Sequence, residues 1–173
     1  MKKLFTKLLA GIMALGCVCA MAGCFFKLDV QNVEDALEDN DYVVEVERGE
    51  EVAFMGVSGV VEKALYAQNE ETGEYFYMYE AKDEELAELY YEMRKTQIKN
   101  DIAECKDGIE ACKHLMNKYD DKLYHEDLAE LEDEIKGLKE KIEELEEELK
   151  CMGVNGAYFW YASSKEALAD ARG

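Results

Sequence analysis

Two apolar stripes that mirror one another constrain this chain more than anything else in it. Ile98, Ile102, Cys105, Ile109, Cys112, Met116 and Tyr119 recur in a 4-3 rhythm, and Leu128, Leu131, Ile135, Leu138, Ile142, Leu145 and Leu149 recur in 3-4 order. Apolar a/d positions sustained over three heptads, with charges elsewhere, are the grammar of a coiled coil. Counted outward from Leu123 and Tyr124, Tyr119 matches Leu128, Met116 matches Leu131, and so on to Ile98 with Leu149; the numbers of every pair sum to 247. Two unrelated helices would seldom match seam for seam, so residues 96–151 are expected to form an antiparallel helical hairpin. Its seam of 22 residues would run ~33 Å at 1.5 Å per residue. Charge favours the pairing. Residues 94–119 carry six basic and four acidic residues, whereas 126–150 carry four basic and twelve acidic. Self-association of the second helix is repulsive, and pairing with the first relieves part of that.

The flanking segments follow a different pattern. Val30, Val33, Ala36 and Leu37 recur at helical spacing until Asn40-Asp41, and Tyr42 to Glu47 reads as a strand by its β-branched content. A short strand is expected near Val52 to Met55. Val60 to Gln68 and Glu74 to Glu80 should form a hairpin across Asn69 to Gly73, with Tyr75, Tyr77 and Tyr79 on one face and Phe76 and Met78 on the other. Asp83 can cap a helix whose Leu86, Leu89, Tyr90 and Met93 would cover the sheet. After the hairpin, Gly153 and Asn155-Gly156 lead into the β-prone run Ala157 to Ala162. Ser163-Ser164-Lys165-Glu166 has a capping-box pattern before a closing helix of Ala167, Leu168 and Ala171. The expected class is therefore α+β: a small antiparallel sheet with covering helices, built from 32–95 and 152–173, with the coiled-coil hairpin inserted before its last strand.

The start of the chain reads as an address. Lys2, Lys3 and Lys7 precede an uncharged run from Leu8 to Ala22, too short and wrongly flanked for an ordinary membrane span. The run ends Met21-Ala22-Gly23-Cys24, which resembles the lipobox of bacterial lipoproteins; Gly16-Cys17 is a competing site with a shorter apolar stretch. The resemblance implies a signal peptide over 1–23, a diacylglyceryl group on the Cys24 thiol, and a tether over 24–31. Two acyl chains anchor stably where one does not. The expected location is the cell membrane, lipid-anchored on its extracytoplasmic face, with the membrane itself as partner through Cys24. Phe25 and Phe26 could rest in the interface.

The wider order also carries a resemblance: the lipobox, a short helix, the Tyr42-Val-Val strand, "VVEKALYAQN", "EYFYMYEAKDEELAELYYEM" and "NGAYFWYASSKEALADA". Over residues 24–95 and 154–173 the chain is similar to small Gram-positive-type bacterial lipoproteins. That family implies membrane attachment and no established activity.

Composition excludes some partners. Forty acidic against twenty basic residues give a net charge of −20. Cleavage before Cys24 would remove three lysines and no acids, leaving −23. A basic surface is what nucleic acid requires, so it is not an expected partner. Charged residues at 35% and abundant aromatics also argue against general disorder and a polytopic membrane protein.

Familiar chemistry is sparse. Gly56-Val-Ser-Gly59 falls one glycine short of a nucleophile elbow, because Val60 stands where glycine is needed. Asp39, Asp41 and Glu50 have some of the spacing of a calcium loop, but Val43 and Val44 occupy an oxygen-ligand position and the turn glycine, so they read as turn acids. His114 and His125 belong to no zinc pattern. Cys105 and Cys112 lie seven residues apart on one helix, ~10 Å along its axis and too far for a disulfide. Cys151 is expected to be partly buried at the hairpin base, and the acidic run 140–148 to be a solvated face. No cofactor, metal or catalytic residue is assigned, and the chain is expected to be non-enzymatic.

Two candidate sites remain. Leu115 lies off the seam, and with Tyr119, Leu123, Tyr124 and His125 it crowds the hairpin tip. That group either caps the hairpin against fraying or presents an apolar end to a protein partner. Tyr75, Tyr77, Tyr79, Tyr158 and Trp160 either form core or line an aromatic sheet face for a small ligand or peptide. The expectation is a lipid-anchored surface protein that makes protein–protein contacts through its hairpin, with the ligand-binding sheet as the alternative.

Overall fold

A computed structural model describes residues 30–49, 52–54, 57–58, 61–119 and 125–173. The expected signal peptide, Cys24, Phe25, Phe26, Glu50, Gly56, Gly59, Val60, Leu123 and Tyr124 lie outside the described residues. The elements in chain order are α1 (Val30–Glu38), β1 (Val43–Arg48), β2 (Ala53–Phe54), β3 (Val57–Ser58), β4 (Val61–Gln68), β5 (Tyr75–Ala81), α2 (Glu84–Tyr119), α3 (His125–Lys150), β6 (Gly153–Asn155), β7 (Tyr158–Ala162) and α4 (Lys165–Asp170). The fold is α+β. A five-stranded antiparallel sheet has the order β1-β4-β5-β7-β6, and β2 and β3 form a separate two-stranded ribbon.

Helix α1 stops where its sequence turns. Asp41 takes φ +64, the left-handed position of a helix end, and the Tyr42 N–H reaches back to the Leu37 carbonyl while the Asp41 N–H donates to Glu38. This is a Schellman closure, with Tyr42 and Leu37 packed in the same apolar cluster as its hydrophobic contact. Asp41 is thus a helix cap, and the following Val43 and Val44 are strand, as their β-branching demands. The β4–β5 connection is fastened by Asn69, whose Oδ1 accepts from the N–H groups of Glu71 and Thr72. Gly73 closes it at φ +76.

Strand alternation splits the core in two. On one face Leu65, Ala67, Phe76, Met78, Trp160 and Ala162 pack with Val33 and Leu37 of α1, with Ala167 and Ala171 beside α4, and with Cys151. On the other, Ala64, Tyr79, Ala81, Phe159 and Tyr161 pack with Ala87 and Tyr90 of α2. The first turns of α2 are acidic and capped by Asp83, whose Oδ1 accepts from the Leu86 N–H at 2.9 Å.

Several expectations are corrected in detail. Ala87 and Tyr90 face the sheet, whereas Leu89 and Met93 point outward at 52% and 38% exposure. Cys151 is completely buried. The closing helix is capped by Ser164, which accepts from the Ala167 N–H, because Ser163 is engaged with the backbone of Tyr75 instead. Helix α1 already contains Val30 and Gln31, so the expected tether ends earlier than residue 31. An additional strand, β6, emerges straight from α3. It turns into β7 through Gly156 at φ +56, and Gly153 lies under the indole of Trp160 so closely that a Cβ would collide with the ring.

The hairpin forms in the expected register. Ile98, Ile102, Cys105, Ile109 and Cys112 are buried along α2, and Ile109, Cys112 and Ile135 cluster with Met116, Leu131, Leu138 and Ile142. Gly108 faces Leu138, whose Cδ1 would stand 3.1 Å from an added Cβ. No break separates the arm from the body: α2 runs 36 residues without interruption, ~54 Å at 1.5 Å per residue.

Candidate functional site

Each candidate residue is placed by its element. At the arm's end, Leu115 is 43% exposed on the outer face of α2, with Met116 turned to the seam. Tyr119 ends α2 and His125 begins α3, so the two lie at the same end of the hairpin. Leu123 and Tyr124 between them lie outside the described residues.

The five aromatics named as either core or a ligand-binding sheet face are divided between the two faces of the sheet. Tyr75, Tyr77 and Tyr79 lie toward α2, while Tyr158 and Trp160 lie on the opposite face with Phe76 and Met78. The period of two explains this. In the observed pairing Tyr77 stands beside Tyr161 and Tyr79 beside Phe159, so the odd residues of β7, rather than Tyr158 and Trp160, share the tyrosine face. Trp160 is 5% exposed under the α1 and α4 layer, which removes it from any open groove.

The tyrosine face is a continuous aromatic surface. Tyr79 stacks on Phe159 with centroids 4.7 Å apart, Tyr75 stacks on Tyr77 at 5.1 Å, and Tyr66 meets Tyr77 edge to face at 5.5 Å. The Tyr79 and Tyr161 hydroxyls share a hydrogen bond of 3.3 Å. Burial pushes the phenols of Tyr75, Tyr79 and Tyr161 upward; at Tyr75 the hydrogen bond to Glu148 and the charge of that carboxylate add to it.

A polar knot fastens the arm to this surface. The Arg94 Nε donates to Glu148 Oε1 at 2.9 Å, with a second guanidinium nitrogen 2.8 Å from the same oxygen, and Tyr75 donates its hydroxyl to Glu148 Oε2 at 2.6 Å. The guanidinium also lies 4.7 Å from the centre of the Tyr161 ring. Burial acts to lower the Arg94 pKa, but the Glu148 carboxylate beside it outweighs this and holds it above the ordinary arginine value, so the guanidinium stays protonated. One carboxylate thus ties α3, α2 and β5 together. Glu148 is 2% exposed, which corrects the expectation that the run 140–148 is wholly a solvated face.

Sequence reasoning missed Arg94, Glu148 and Tyr66. A faint signal existed for the first. Arg94 is one of three arginines in a chain whose other basic residues are lysines, and a planar five-donor fork suits a buried carboxylate. Glu148, in a run of similar acids, gave none.

Among the described residues the cysteines and Glu74 are held in structural contacts. Cys105, Cys112 and Cys151 are free and buried, and burial raises the thiols of Cys112 and Cys151, the opposite of what a reactive nucleophile needs. Glu74 accepts from the hydroxyls of Tyr42, Thr72 and Ser164, which fastens the β5 entrance to α4. Among the described residues no group of three or more His, Cys, Asp or Glu side chains is placed to hold a metal ion, and no helix is long and apolar enough to cross a membrane. No family model, curated protein or solved structure matches this chain.

Proposed function

We propose that the protein is a lipid-anchored surface protein that uses its helical hairpin to hold an interaction site away from the bilayer. The anchor rests on the lipobox-like Met21-Ala22-Gly23-Cys24, and the likeness to small bacterial lipoproteins rests on the same residues and the flanking patterns. The arm is mechanically continuous with the sheet. Helix α2 passes without a break from beneath the sheet to the hairpin tip, and the Arg94–Glu148–Tyr75 knot clamps its companion helix at the root. A flexible tether would leave the tip free to lie anywhere; a continuous helix with a clamped partner keeps it at a set distance. The acidic surface disfavours a flat arrangement on anionic headgroups.

The arm can be removed without touching its root. Deleting 106–141 and joining Cys105 to Ile142 through a short glycine linker rejoins residues that face each other across the seam. The shortened chain is expected to retain its fold and its membrane attachment while losing adducts from a photo-crosslinking side chain at Leu115, moved in the shortened chain to the new tip. Identical protein adducts from the full and shortened arms would show that the arm is not the site. Membrane attachment is tested by Cys24→Ala, which should release the protein to the soluble fraction; unchanged partitioning would refute the anchor.

A further inference from the structure

Among the described residues, the tyrosine face is covered by α2 at one end and open at the other. Glu45, Tyr66, Tyr77 and Tyr161 are successive cross-strand partners on β1, β4, β5 and β7, so they form a line across the sheet. At the covered end, Arg94 lies over Tyr161 and is neutralised by Glu148: a guanidinium held between an aromatic ring and a carboxylate. The open end repeats the surroundings without the cation. Tyr66 and Tyr77 are half-buried and set edge to face, and Glu45, Glu70, Gln68 and Val43 stand around them in a cleft of about 190 Å3. The cleft's lining has two carboxylates and no basic residue, and neither carboxylate takes part in an ion pair among the described residues.

Size and position narrow the occupant. Drug-sized ligands fill roughly 300–1,000 Å3, so this cleft suits the head of one side chain. It also adjoins an edge. β1 is the outermost strand, and Val43 at its start is 62% exposed. A strand edge offers backbone donors and acceptors to an incoming extended segment, and side-chain pockets beside it select the sequence. A second copy of this chain is a poor occupant, because β1 against β1 would bring Glu45 and Glu47 of each copy together.

We propose that this corner is a second binding site, separate from the arm, for an extended arginine-bearing segment of a partner protein. The segment pairs with the β1 edge and lays a guanidinium against Tyr66 and Tyr77 between Glu45 and Glu70, as Arg94 does against Tyr161. The chain's net charge of −20 steers such a basic segment toward it, and the cleft supplies the selectivity.

The test uses the full chain and a fluorescent peptide of alternating threonine and arginine, followed by anisotropy at physiological salt. Saturable one-to-one binding is expected, with an otherwise identical citrulline peptide failing to bind. Tyr66→Leu and Glu45→Gln should each weaken affinity about three- to tenfold, the range a cation–π or charge contact gives. Glu132→Gln, on the exposed arm, should change nothing. Because Glu45 is exposed, its variant keeps the test sound if Tyr66→Leu disturbs the fold. Unchanged affinity in Glu45→Gln, an equal loss in Glu132→Gln, or arginine amide competing as well as the whole peptide would each overturn the proposal. The second result would show diffuse attraction, and the third a small-cation site without strand pairing.

Discussion

At the scale of single residues, the fold leans on positions whose importance no periodicity displays. Gly153 is the plainest. It sits at the joint between α3 and β6, and the Trp160 indole occupies the space where a side chain would begin. Gly153→Ala is therefore expected to lower stability by about 1–3 kcal/mol, the usual cost of overpacking a filled core. Gly137 supplies the contrast, because it lies mid-helix in α3 with nothing within 4 Å of an added Cβ. Gly137→Ala should raise stability by about 1 kcal/mol through helix propensity alone. Urea unfolding of both variants checks the pair; a destabilising Gly137→Ala or a neutral Gly153→Ala would contradict this assignment. From the sequence neither glycine declares its packing: Gly137 falls inside the second apolar stripe and Gly153 just after it. What separates them is a neighbour seven residues along, which only the β6–β7 pairing brings into contact.

At the scale of elements, what the sequence disclosed depended on repetition. The hairpin was legible because its seam repeats seven times on each side, so one substitution or ambiguous position hardly alters the pattern. The tyrosine strand was legible for the same reason, since Tyr75, Tyr77 and Tyr79 alternate with Phe76 and Met78. The partner strand misled, because a run of four aromatics from Tyr158 to Tyr161 has no polar residue to declare its faces, and its register is set by β5 and β6. Leu89 and Met93 misled as well. They lie on a helical stripe, but the short side chain of Ala87 lets α2 approach the sheet on the adjacent line. The Arg94–Glu148 knot was invisible for a different reason: it is a single contact between residues 54 apart in the chain. Arg94→Met leaves Glu148 buried with only Tyr75 as donor, and should cost on the order of 3 kcal/mol. The double variant Arg94→Met, Glu148→Leu should recover most of that loss, because a buried ion pair replaced whole by apolar groups is often nearly neutral. A double-mutant cycle by denaturant unfolding measures it, and simple additivity of the two losses would contradict the knot.

At the scale of the whole molecule, two apolar layers and an arm are joined through one aromatic sheet, and that sheet should govern the response to base. Tyr42, Tyr75, Tyr79 and Tyr161 are all held above the ordinary tyrosine value, by burial first; carboxylates add to it at Tyr42 and Tyr75, and neighbouring hydroxyls at Tyr79. A phenol whose folded pKa is raised stabilises the fold fully below its unfolded pKa, and that contribution is lost as pH rises. Stability should thus be insensitive to these groups at neutral pH and fall above about pH 10, the unfolded tyrosine value. Tyrosinate absorbance should show these phenols ionising together with unfolding, and non-cooperative titration of all eleven tyrosines in the folded state would contradict the buried sheet.

If α2 and α3 lie side by side as one clamped arm, the distance between Lys99 and Glu146 must be short. Both are exposed near the arm's root, on different helices. Spin labels at Lys99→Cys and Glu146→Cys, with all six native cysteines replaced by alanine, should report a single narrow distribution within about 20 Å, allowing for label length beyond the 8–10 Å spacing of packed helices. A dominant distance near 70 Å, the length of an unbroken helix between these positions at 1.5 Å per residue, would contradict it.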